Sequence, residues 1–188
     1  IGERLFESFK KSFFSQKDER DSYVRFENSL KELNRVVDGF REATNSGHIG
    51  RLHAIVVALS GDNLYLSQTG DAEAYLIRKR FVTSISEGLY DPESREIFTS
   101  IANGNLEEGD FVLFSTTRLL RYISKTNLAR LIAPDVVRTL NDLREAVMPE
   151  ILGRIGFIGV SVGTAADDAF VSSPSSSRFS LTGFLAGV

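Results

Sequence analysis

The chain has 188 residues, 42% of them hydrophobic and 25% charged, with 22 basic against 25 acidic residues and a net charge of -3. That is the balance of one globular domain with a substantial core, and it excludes wholesale disorder and a many-span membrane protein. With no cysteine and only His48 and His53, disulfides, thiolate zinc sites, iron–sulfur clusters, a cysteine nucleophile and a His-rich metal centre are excluded as well, and a reducing cytoplasm fits.

The elements follow in chain order. Between Glu3 and about Ser15, Leu5, Phe6, Phe9 and Phe13 recur at helical spacing among Lys and Glu, which predicts an amphipathic helix. After the charged break "QKDERDS", Tyr23, Phe26, Leu30, Leu33, Val37 and Phe40 advance in steps of three and four, the clearest helical stripe in the chain, ending near Asn45-Ser46-Gly47. One face packed on a sheet explains it, since fewer than three full heptads are present for a coiled coil.

The period then changes. "LHAIVVALS", the turn residues Gly61-Asp62-Asn63 and the alternating "LYLSQT" predict a β-hairpin. Gly70-Asp71 bends the chain into "AEAYLIR", which Arg78-Lys79-Arg80 connects to "FVTSI". Three or four antiparallel strands in a row are therefore expected. The loop from Ser86 to Glu96 carries Gly88 and Pro92, and "IFTSIANGNLEEGD" reads as a short helical or irregular segment. "FVLFS" predicts a central strand, and "TTRLLRYIS" and "KTNLARLIA" look helical. Pro134 suits the first residue of a further helix with Val136, Val137, Leu140, Leu143 and Val147 as its apolar side. "RIGFIGVSV" is a closing strand, followed by Asp167-Asp168 and a serine-rich stretch. Helices, a run of strands, more helices and a last strand give an α+β class with helices stacked on sheets. The longest basic run is Arg78-Lys79-Arg80, too little for a phosphate-binding face, so nucleic acid is not an expected partner.

At "ALSGDNLYLSQTGDAEAYLIR" the sequence resembles the PPM-type metal-dependent serine/threonine protein phosphatases, whose corresponding stretch runs strand, Gly-Asn turn, strand, then Gly-Asp-Ser-Arg-Ala-Tyr-Leu. "IANGNLEEGDFVLFSTTRLLRYIS" resembles the family's segment leading through Gly-Asp and a strand into Ser-Asp-Gly-Leu. "RIGFIGVSV" stands where the family has Asp-Asn and its last strand. The resemblance covers roughly residues 22 to 163. It implies a four-layer α/β/β/α sandwich of two antiparallel sheets flanked by helices, as one domain over 1–170 that includes an N-terminal amphipathic helix at 1–17.

Family members hold two divalent cations, Mg or Mn, with several aspartates, because hard cations need oxygen ligands and the pair must generate a hydroxide and clamp phosphoryl oxygens. By this resemblance Thr116 of "STT" stands in the place of the Ser-Asp-Gly aspartate, Thr117 replaces the glycine, and Arg118 adds a cation where the family binds its own. The Asp-Asn pair has no counterpart in "GRIGFIG", and no Asp-Gly-x-Gly-Gly motif follows Ile1. Asp71 alone persists of the acidic set, as a vestigial metal position or as the residue a tight turn prefers.

Other candidates have simpler explanations. Asp110 matches a turn residue. Asp167 and Asp168 follow the last strand instead of preceding it, as a solvated exit loop does. His53 has no companion for a triad and suits a core or edge position. The glycines of "GRIGFIG" point to close backbone packing rather than a dinucleotide site. Ser115 lacks a neighbouring base.

The resemblance with its lost ligands implies a catalytically inactive, pseudophosphatase-like domain that needs no cofactor and serves as a binding, regulatory or assembly module for a protein partner or a homo-oligomer. The alternative is an active phosphatase whose remaining ligands lie outside these residues or come from Asp167 and Asp168. Residues 171–188 read as a Ser-rich linker or tail, and the apolar "LTGFLAGV" allows a membrane tether beyond Val188.

Overall fold

The computed structural model describes residues 1–16, 21–44, 52–150 and 155–163. His48, Asp167, Asp168 and the 171–188 tail lie outside the described residues. The described residues form two compact units, those within Ile1–Gly70 and Gly88–Asn105, and those within Asp71–Glu87 and from Leu106 to residue 163. Each has its own antiparallel sheet, helices and apolar core.

In the first unit, α1 (Gly2–Ser15) and α2 (Ser22–Thr44) pack together. Most residues of the predicted stripes are buried: Leu5, Phe9 and Phe13 meet Phe26, Leu30, Leu33 and Val37, with Ala58, Tyr65, Ile97 and Phe98 completing the core, whereas Phe6 and Tyr23 of those stripes are exposed. Phe9, Phe13 and Phe26 form a ring cluster, with Phe9 stacked on Phe13 at 5.6 Å and edge-on to Phe26 at 5.6 Å. Asn34 is buried, and its side chain closes both hydrogen bonds on the Phe98 backbone, donating to its carbonyl at 3.0 Å and accepting from its N–H at 3.1 Å. That reciprocal pair ties the 88–105 segment to α2.

The sheet of this unit has the order β1 (Ala54–Ser60), β2 (Asn63–Thr69), β5 (Ala102–Asn105). The predicted hairpin is present, with Ser60 opposite Asn63 across a two-residue turn that Gly61 opens with a left-handed φ of 60°. The segment "ANGN", read as helical or irregular, is a strand instead. It pairs with β2 from Asn63↔Asn105 to Leu66↔Ala102 through its backbone, and its mostly exposed polar side chains carry no alternation that could announce it.

The second unit's sheet has the order β4 (Phe81–Ser84), β3 (Glu73–Arg78), β6 (Phe111–Ser115), β7 (Phe157–Ser161). "FVLFS" is a central strand, as predicted. The run of strands does not stay in one sheet: at Gly70-Asp71 the chain passes from one unit's sheet to the other's. Tyr75, Ile77, Phe111, Leu113 and Phe157 pack against Leu119, Ile123, Leu128, Val136, Leu140, Leu143 and Val147. "TTRLLRYIS" yields only a 3-10 turn at Leu119–Arg121, and α3 (Lys125–Leu131) begins at a Ser124 cap whose hydroxyl accepts from the Asn127 N–H. α4 (Val136–Val147) starts two residues after Pro134, because Asp135 caps it by accepting from the Arg138 N–H.

Two of the turns with left-handed backbone are constrained by their side chains or surroundings. β3 and β4 are joined by Lys79 and Arg80 at φ 49° and 67°, a two-residue turn that favours Asn-Gly and costs an ordinary side chain about 1–2 kcal/mol per residue. Gly70 has φ 70°, and a Cβ there would lie 2.6 Å from both the Leu52 carbonyl oxygen and His53 Nδ1. Gly70→Ala therefore loses at least about 2 kcal/mol of stability in denaturant titration, whereas Gly104→Ala, in open space at an ordinary φ, stays within about 0.5 kcal/mol.

Candidate functional site

Glu73, Ser115 and Phe157 form one rung across β3, β6 and β7. Asp71, Thr116 and Gly156 lie within two residues of that rung, at the same end of the sheet. Sequence positions 71, 116 and 156 are brought together because β6 pairs with β3 on one side and β7 on the other.

At this end, Arg118 Nε donates to Asp71 Oδ1 at 2.8 Å, with the two side chains 45% and 44% exposed. The aspartate's counter-charge is thus a guanidinium of the same chain. Thr116, aligned by resemblance with a ligating aspartate, is tied to Gly156 twice: its N–H donates to the Gly156 carbonyl at 3.1 Å, and its Oγ1 accepts from the Gly156 N–H at 2.9 Å. A Cβ on Gly156 would lie 3.3 Å from the Thr116 methyl, and one on Gly159 would lie 2.7 Å from the Phe111 ring. Close backbone packing accounts for both glycines of "GRIGFIG" among the described residues. Ser115 is buried, and its hydroxyl accepts from the Thr117 N–H at 3.3 Å, a turn contact with no base attached.

β3 also carries a part-buried polar pair. Tyr75 is fully buried, and its phenol donates to the Glu73 carboxylate. Burial pushes the Tyr75 phenol well above its usual 10.0, the hydrogen bond to Glu73 and that residue's negative charge add to the rise, and backbone hydrogen bonds from Leu120 and Leu119 act the other way. The Ala74 N–H of the same strand donates to Ser86 Oγ at 2.9 Å.

The far end of the sheet is held by a second carboxylate. Asp110, read from sequence as a turn residue, is 1% exposed and receives Arg78 in a two-pronged pair, Nε to Oδ1 at 2.8 Å and an outer guanidinium nitrogen to Oδ2 at 2.7 Å. Its Oδ2 also accepts from the Glu107 N–H at 2.7 Å, and Arg78 reaches the Glu107 carboxylate at 2.8 Å. The Asp110 hydrogen bonds raise the Arg78 guanidinium above its ordinary range. The turn reading holds for the backbone and misses the ion pair, whose partners lie 32 residues apart; the charged Arg78 directly after the apolar run Ala74 to Ile77 was the available signal.

His53, expected at a core or edge position, is exposed one residue before β1. Among the described residues no group of three or more His, Cys, Asp or Glu side chains is placed to hold a metal ion. No helix among them is long and apolar enough to cross a membrane.

No family model and no curated protein matches the chain by sequence. Solved structures do. The Mycobacterium tuberculosis serine/threonine phosphatase PstP/Ppp superposes with a TM-score of 0.58 at 14% identity, covering 79% of this chain and 76% of that one. The phosphatase domain of the cell fate determinant SpoIIE from Bacillus subtilis gives 0.57 at 14% identity over 92% and 78%. PppA, a key regulatory component of T6SS in Pseudomonas aeruginosa, gives 0.59 at 12% identity over 77% and 73%. Two antiparallel sheets flanked by helices in this order are the PPM-type phosphatase fold, and the likeness extends to the fold alone.

Two outcomes follow from the ion pairs and the buried phenol. Arg78→Ala strands the buried Asp110 carboxylate and lowers stability by about 3 kcal/mol, whereas Arg118→Ala, at an exposed pair, costs under about 1 kcal/mol; chemical denaturation of the two variants gives the comparison. Above about pH 10 an unfolded chain releases the Tyr75 proton that the folded chain keeps, so stability falls as pH rises through that range. Tyr75→Phe flattens this alkaline limb and removes a late-ionising phenol from the ultraviolet titration; an unchanged limb contradicts the assignment.

Proposed function

We propose that this chain is a catalytically inactive PPM-type domain, a pseudophosphatase that works as a binding, regulatory or assembly module. The observation that carries the reading is the Arg118–Asp71 ion pair. Where a PPM enzyme needs anionic oxygens facing divalent cations, this chain supplies a fixed cation to its remaining carboxylate.

A pair of Mg or Mn ions does not fit these residues. A cation approaching Asp71 competes with a guanidinium already 2.8 Å from its oxygen, and like-charge repulsion from Arg118 opposes it. Thr116 offers a neutral hydroxyl already engaged by the Gly156 N–H at 2.9 Å, and Gly156 offers no side chain at all. Without the ions there is neither a lowered water pKa nor a clamp on the phosphoryl oxygens, and no side chain here replaces them: the nearest hydroxyls, Ser115 and Thr116, are spent on turn and strand contacts. The protein-partner reading rests on what remains when turnover is removed, a shaped α+β surface in a fold whose neighbours include PppA, a key regulatory component of T6SS.

Full-length protein with para-nitrophenyl phosphate and added manganese is expected to turn over no faster than buffer, and calorimetry with manganese to give no saturable heat. Hydrolysis that disappears in Asp71→Ala would overturn the reading and restore Asp71 as a metal ligand in an active phosphatase.

A further inference from the structure

Among the described residues β4 is an edge strand, and it lacks most devices that blunt such an edge: no proline, no bulge and no charged residue lies within Phe81–Ser84. The direction of its free backbone groups follows from the ladder. Across the two-residue turn Arg78 and Phe81 are a hydrogen-bonded pair, and the Ile85 N–H donates to the Ala74 carbonyl at 2.9 Å. Alternation then points the N–H and C=O of Val82 and Ser84 away from β3. Neither residue's backbone bonds elsewhere among the described residues. The side chains split the same way: Val82 packs against the core, whereas Thr83 is exposed and Phe81, at 77%, is the most exposed large hydrophobic among the described residues.

We propose that β4 pairs, antiparallel and across a two-fold axis at Thr83, with β4 of a second copy of this chain. Only this symmetric register uses both outward-facing residues, placing Val82 of each copy opposite Ser84 of the other. The remaining positions then match without further assumption. Thr83 meets Thr83 on the axis, Phe81 lies opposite Ile85 twice, and each copy's exposed basic turn, Lys79-Arg80, comes to the end of the seam beyond which the other copy carries its exposed Glu87.

Charge complementarity selects a second copy as the occupant. The strand carries a basic turn, Lys79-Arg80, before it and an acid, Glu87, after it, so antiparallel self-pairing joins opposite charges at both ends while parallel pairing would stack like ones. Arg78 contributes no free charge here because Asp110 and Glu107 hold it, and that clamp fixes the base of the hairpin. A four-residue seam is small for a specific interface, so the dimer is weak and concentration-dependent.

Sedimentation of the full chain across a concentration series tests this. The mass should rise from 20.8 kDa toward twice that, with the Val82 and Ser84 amides gaining hydrogen-exchange protection as it does. Ser84→Pro, which removes an outward N–H while leaving the β3 ladder intact, should weaken association about tenfold or more. Lys79→Glu and Glu87→Lys should each weaken it, and the double reversal should restore it; circular dichroism establishes that each variant is folded. A chain that stays monomeric throughout leaves the edge to some other protein's strand and overturns the proposal. So does a dimer indifferent to Ser84→Pro, or one that the double reversal fails to rescue.

Discussion

The pairing of β3 with β6 is the constraint from which the rest of the second unit follows. Its register runs from Glu73↔Ser115 to Ile77↔Phe111, and each end is closed by a carboxylate from one side of the ladder and a guanidinium from the other. At one end Asp110 takes Arg78; at the other Asp71 takes Arg118. The two pairs are chemically alike and energetically different. Asp110 is sealed from water with both oxygens used, so breaking that pair leaves a buried charge. Asp71 and Arg118 are nearly half exposed, so solvent can replace either partner and the pair contributes little to stability. An ion pair that stabilises so little matters chiefly for the field it sets at the surface.

That division explains which parts of the fold could be read from sequence. The stripes Leu5–Phe9–Phe13 and Phe26–Leu30–Leu33–Val37, and the apolar runs of β1, β3, β6 and β7, announce themselves because burial imposes a period. β5 did not, since "ANGN" enters its sheet by main-chain hydrogen bonds and buries almost nothing. The expected helix at "TTRLLRYIS" shrinks to a 3-10 turn because Leu119 and Ile123 are both drawn into the core from a short connection that α3 follows at once. Pro134 was displaced from the helix start by Asp135, whose side chain can cap where a proline cannot.

The site divides along a similar line. That Thr116 and Thr117 stand where the family has an acid and a glycine, with Arg118 adding a cation beside them, was visible in "STTRLL" from the resemblance, because a missing charge is a property of one position. What the replacements do was not visible. Thr116 meets Gly156 across 40 residues and Arg118 finds Asp71 across the sheet end; each contact depends on a strand register that no local pattern encodes. Asp110 is the sharpest case, since a carboxylate in "LEEGD" reads as turn chemistry until the ladder places Arg78 beside it.

An acid-rich metal centre carries a burden of its own: carboxylates converging on one point repel one another unless cations hold them, so such a sheet end is stable only when loaded. At this chain's sheet end Asp71 is paired with Arg118, the Thr116 hydroxyl knots β6 to β7, and the Thr116 methyl approaches Gly156 closely. The sheet end therefore closes with groups the chain itself supplies. Under the proposed reading, the same substitutions that remove turnover also free the fold from metal, and what remains constant from one condition to the next is the surface, which is what a binding or assembly module requires.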